Sequence, residues 1–123
     1  MDRVVAVVMY PQKMDGTWRR VVGEGEFRQA LYAALNTLDF TPDFVVGPGR
    51  SGAVAAVYAS HYLRVPFVPY KCRIAGARPL CIDTARQSGS TLRKASRLYD
   101  GAPTLAVYEE PPRVRFWYED TRS

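Results

Sequence analysis

Asp83 ends a short apolar run, Leu80-Cys81-Ile82, and Ser88-Gly89-Ser90-Thr91 follows a few residues later. A carboxylate delivered by a strand into a loop can hold a sugar diol or a metal ion. The unpaired backbone N–H groups of a loop and helix start can hold a phosphate. Together, these two tools suit a phosphorylated sugar. A second candidate is Gly47-Pro48-Gly49-Arg50-Ser51-Gly52, which fits G-x-G-x-x-G between a strand pattern and a helix pattern. A dinucleotide site also requires an acid about 20 residues further on. The chain has no Asp or Glu between Asp43 and Asp83, and the expected place carries Tyr70-Lys71-Cys72. No Gly-Lys-Ser/Thr follows the glycines, which excludes a P-loop. A second anion site remains: the glycines allow close backbone approach, Arg50 offers a fork of donors, and a helix start faces the ligand.

The elements that must position these residues alternate. Strands are expected over 4–8, 43–46, 66–70, 79–82 and 104–108, with a last β-rich segment over 114–118. Helices are expected over 26–38, 53–63 and 91–99, and 47–52 reads as a glycine-rich loop. In 26–38 the apolar residues Phe27, Ala30, Leu31, Ala34, Leu35 and Leu38 recur with helical spacing. Alternation of strand and helix implies an α/β fold with a mostly parallel sheet, right-handed crossovers and flanking helices. At 123 residues and 47% hydrophobic composition, one domain with one modest core is expected.

No run approaches the roughly 18 apolar residues of a membrane span. The amino-terminal residues lack the basic region and small-residue cleavage site of an export signal. Cys72 and Cys81 have no metal-ligand spacing, so reduced thiols and a cytoplasmic protein are expected. The formal charge is +5, and residues 64–97 carry eight cations against Asp83 alone, a net of +7. That block points to an anionic partner: phosphates, or less directly nucleic acid. His61 is the only histidine and falls late in an alanine-rich helix, which argues against hydrolytic triads and zinc sites.

Two anion loops, each after a parallel strand, with one strand and a basic loop between them, resemble the type I phosphoribosyltransferases, which bind 5-phosphoribosyl-1-pyrophosphate (PRPP). Residues 80–92 resemble that family's PRPP motif: apolar residues, two acids, three variable residues, then Thr/Ser-Gly-x-Thr/Ser. Gly49-Arg50-Ser51-Gly52 resembles its pyrophosphate loop. The resemblance implies a core over about 26–109 and a small hood built from 1–25 and 110–123. It implies transfer of the phosphoribosyl group from PRPP to a nitrogenous base, with magnesium held through ribose hydroxyls and water and not directly by the protein. A homodimer is left open.

By position, the resemblance gives catalytic roles to Asp83, Arg50 and Lys71. Asp83 and Thr84 would meet the ribose, and Gln87, Ser88, Gly89, Ser90 and Thr91 would cradle the 5′-phosphate. Arg50, Ser51 and Gly52, with Lys71 or Arg73, would hold pyrophosphate. Residues 72–79 stand where the family's closing loop stands, and Phe116, Trp117 or Tyr118 would stack the base. The motif's second acid is Thr84, and Gln87 stands where the 6-oxopurine enzymes carry Asp. Those departures keep a second reading open, a non-catalytic PRPP- or nucleotide-binding relative. Nucleic-acid binding is a third.

Overall fold

The apolar triplet Phe44-Val45-Val46 pairs on both sides, which makes it an interior strand. In the computed structural model, which describes residues 13–14, 20–86, 89–109 and 114–119, this strand is β3 (Phe44–Val46). It lies parallel to β4 (Pro79–Arg86), which lies parallel to β5 (Thr104–Glu109). The registers are Val45↔Leu80 and Asp83↔Ala106. A single parallel bridge, Val45↔Phe67, extends the sheet beyond β3. A smaller sheet joins residues from early in the chain with residues 114–116. In it β1 (Lys13–Met14) is antiparallel to β2 (Arg20–Val22), and β2 is parallel to β6 (Val114–Phe116).

Strand alternation divides the core between the two faces of the larger sheet. Val45, Leu80 and Ile82 pack with Phe27, Leu31 and Leu35 of α1 (Glu24–Leu35), Ala55, Ala56 and Ala59 of α2 (Gly49–Leu63), and Val22, Val114 and Phe116 of the smaller sheet. Phe44, Val46 and Cys81 face the other way, onto Leu92 and Ala95 of α3 (Ser90–Leu98) and onto Tyr99. The alanines of α2 let that helix approach the sheet closely. The expected α/β architecture is therefore present. No helix among the described residues is long and apolar enough to cross a membrane.

Several boundaries differ from the sequence reading, each for a local reason. Helix α1 starts at Glu24, where Phe27 N–H bonds the Gly23 carbonyl and Glu24 and Glu26 favour the helix start electrostatically. It ends at Leu35, because the Thr37 amide and hydroxyl both bond the Ala34 carbonyl and tighten the turn. The strand expected over 66–70 reduces to the Phe67 bridge, since Pro66 and Pro69 have no N–H to donate. Gly49 to Gly52 form the first turn of α2 and not a loop. Strand β4 runs past Ile82 to Arg86, because β5 continues the ladder through Ala85↔Tyr108 and Arg86↔Glu109. The segment expected over 114–118 stops pairing at Phe116, where a turn closed by Glu119 N–H on the Phe116 carbonyl takes over. The strand expected over 4–8 lies outside the described residues.

Candidate functional site

Strands β3 and β4 both point their carboxyl ends at one edge of the sheet, and each leads into a helix. After β3, Gly47 and Gly52 touch backbone to backbone. A Cβ on Gly52 would sit 2.7 Å from the Gly47 carbonyl carbon, and one on Gly47 would run into the Gly52 carbonyl. Any side chain there would push the start of α2 off the strand. In the sequence the glycines stand out singly, and only the spacing G-x-x-x-x-G hints that these two need each other. The fold-back leaves Arg50 exposed and Ser51 half-buried in the first turn of α2.

After Ile82, Asp83 and Thr84 lie inside β4. The Thr84 N–H donates to Asp83 Oδ1 at 2.7 Å. Burial raises the Asp83 carboxyl above its ordinary value, and the Thr84 hydrogen bonds pull it part of the way back. Thr84 itself is 3% exposed and is the buried polar residue of the described core.

Tyr118 joins this strand to α2. Its hydroxyl donates to Ser51 Oγ at 2.8 Å, across 67 residues of sequence. Burial raises the phenol above its ordinary value, hydrogen bonds with the Ser51 and Thr84 side chains lower it, and Glu119 and Asp83 add to the rise. One phenol therefore meets both the first turn of α2 and the acid-bearing strand. Beside it opens a cavity of about 550 Å³ lined by Arg50, Ser51, Val54, Arg115, Tyr118 and Glu119. The sequence reading assigns no role to Arg115; strand alternation, which sets it opposite the core-facing Val114 and Phe116, was the available signal.

Other expected site residues fall in different places. Gly89 has φ +79° and caps α3, so a left-handed backbone is built into that turn, with the side chains of Arg86 and Arg93 close by. Ser90 and Thr91 open α3 and are exposed; Gln87 and Ser88 lie outside the described residues. Arg73 does not reach the Gly49–Gly52 turn. Its guanidinium bonds Asp100 at 2.8 Å and the Leu98 carbonyl, at the carboxyl end of α3. That end of α3 precedes β5 and lies at the opposite edge of the sheet from Ser51. Residues 72–78 are fastened there too: Tyr99 Oη donates to the Cys72 carbonyl, and Arg78 N–H donates to Asp43 Oδ2. They do not overhang Ser51 and Asp83 as a closing loop would. Lys71 is exposed, and its backbone N–H donates to Tyr99 Oη at 2.8 Å.

The aromatic trio separates as well. Phe116 is a core residue, 3% exposed and edge-on to Phe27, so it has no face for a base. Trp117 packs on Phe27 and Tyr58. Of the three, Tyr118 alone lines the cavity.

Solved structures superpose on this arrangement over most of its length. A purine phosphoribosyltransferase from Pyrococcus horikoshii matches with a TM-score of 0.60 at 18% identity, over 84% of this chain and 95% of that one. The fold is that of the type I phosphoribosyltransferases. A xanthine-guanine-hypoxanthine phosphoribosyltransferase from Helicobacter pylori shares this phosphoribosyltransferase fold with a TM-score of 0.61 at 10% identity, over 80% of this chain and 90% of that one. A hypothetical protein from Neisseria gonorrhoeae with bound ppGpp matches with a TM-score of 0.65 at 10% identity, over 81% and 88%. No protein-family model and no curated protein matches the chain in sequence. The phosphoribosyltransferase likeness is therefore one of fold, carried by strand order and not by residue identity.

Proposed function

We propose that the protein transfers the 5-phosphoribosyl group from PRPP to a nitrogenous base and releases pyrophosphate. The observation that carries this reading is the meeting of the Ser51 turn and the Asp83–Thr84 strand at one sheet edge, joined by the Tyr118 hydroxyl. On a phosphoribosyltransferase fold, that edge offers donors for a pyrophosphate beside a carboxylate for a ribose diol.

In this reaction the C1–O bond breaks with its electron pair leaving on pyrophosphate, while a base nitrogen donates its lone pair to C1 and the base loses a proton. Arg50, Ser51 and the backbone N–H groups of the first turn of α2 hold the departing anion. Asp83 fixes the ribose hydroxyls, and the turn around Gly89 takes the 5′-phosphate, so most of the rate comes from orientation and charge stabilisation. Magnesium would enter with PRPP. The single carboxylate of Asp83 suits an ion held mainly by substrate oxygens and water. When bound, it offsets charge on the departing pyrophosphate. The two free thiols, Cys72 exposed and Cys81 buried, suit a cytoplasmic protein.

Incubation with magnesium and PRPP across a panel of purine and pyrimidine bases, scored by pyrophosphate release, tests the proposal. Base-dependent release is expected. Magnesium-dependent PRPP binding with no release on any base would replace it with the second reading, a non-catalytic nucleotide binder. Two observations favour that alternative: Thr84 is buried where a second acid would stand, and residues 72–78 are fastened away from the site.

A further inference from the structure

We propose that the carboxyl-terminal strand and turn form a wall of the pyrophosphate site, with Arg115 as the guanidinium partner of Arg50. A pyrophosphate presents two phosphoryl groups, and one guanidinium fork clamps one of them. The sequence offers Lys71 or Arg73 as the second cation. The Lys71 backbone N–H is tied to Tyr99 Oη at the carboxyl end of α3, and Asp100 and the Leu98 carbonyl hold Arg73 at the same edge of the sheet. Arg115 stands instead in the lining of the 550 Å³ cavity that also contains Arg50 and Ser51.

Its position is set by construction. Pairing of Val21 with Arg115 in the smaller sheet, with Val114 and Phe116 buried on either side, directs residue 115 away from the core. The Tyr118–Ser51 hydrogen bond then ties the turn after β6 to the start of α2, which fixes the distance between the two walls. Among the described residues the lining carries two guanidinium groups and one carboxylate, Glu119, whose Oε1 accepts the Phe116 N–H. That balance favours an anion. The segment that a base-reading hood would use thus reads phosphate.

Calorimetric titration of the full chain with inorganic pyrophosphate tests this. Arg115→Gln is expected to weaken binding about tenfold or more, as loss of a charge-assisted contact implies. Arg115→Lys, which keeps the charge but not the fork, should fall between that variant and wild type. A folded Arg115→Gln protein that binds pyrophosphate as tightly as wild type overturns the assignment. Because residue 115 sits in a paired strand, the unmodified protein provides a reading that does not depend on folding of a variant. Its Arg115 Nε–Hε NMR signal, assigned through bonds, should shift on pyrophosphate addition, and an unmoved signal at saturation overturns the proposal.

The inference rests on the PRPP reading, yet the two fail separately. Arg115-dependent pyrophosphate binding in a protein that releases no pyrophosphate with any base keeps this site and removes the transferase. Base-dependent release with an unchanged KM for PRPP in Arg115→Gln does the reverse.

Discussion

Asp83 is placed where its charge costs stability, and on the proposed function that charge serves binding. A carboxyl raised by burial binds its proton more tightly in the folded than in the unfolded chain. Its contribution to stability is therefore present at low pH and lost as pH rises through the raised value. At neutral pH the ionised group is a liability that Asp83→Asn removes, while the amide oxygen still accepts the Thr84 N–H. The variant is expected to melt higher than wild type at pH 7, with the gap closing toward acid, and to bind magnesium–PRPP about tenfold more weakly. A lower melting temperature at pH 7, or unchanged affinity, would contradict this. Thr84 next door poses the opposite case. An acid there would be buried at a position 3% exposed, against the Tyr118 phenol and beside the Asp83 charge. Thr84→Asp should cost about 2 kcal/mol or more in denaturant melts and should not restore a ribose contact. A stable, tighter-binding variant would revive the two-acid site.

Each candidate turn is built where a strand hands over to a helix, and the handover after β3 has no spare room. Gly47→Ala forces a methyl group into the Gly52 carbonyl, so it should destabilise by about 3 kcal/mol, the upper end of overpacking costs. It should also shift Ser51 enough to lose pyrophosphate binding. Calorimetry and a melt of the same sample check both, and a silent substitution would mean that the turn is looser than its geometry. Position 49 behaves differently, since nothing stands within 4 Å of a Cβ there and only its φ of +69° favours glycine. The basic block of the sequence also changes meaning once elements are assembled. Arg73 pairs with Asp100, Arg86 pairs with Glu109, and Arg78 lies over the Phe40 ring at 4.2 Å. Three of its eight cations are thus held by partners outside the block.

At the scale of the molecule, the segments 20–22 and 114–116 meet, and these parts of the expected hood contribute to the main core. Val22, Val114 and Phe116 share a cluster with the central strands and α1. Phe116→Ala should therefore cost about 3–5 kcal/mol, a core truncation, where a base-stacking residue would lose affinity and keep stability. Thermal melts with and without PRPP separate the two outcomes. The strand–helix order, the parallel sheet, the glycines after β3 and the acid in β4 were legible in sequence, because each depends on residues within a few positions of one another. What only the tertiary structure decided are contacts between distant segments. Tyr118 meets Ser51 across 67 residues, Arg115 faces the cavity with Arg50, and Arg73 is drawn to the far end of α3. Local pattern specifies which face of an element is apolar. It does not specify which distant polar side chain that face will meet, because such pairs are set by the packing of whole elements.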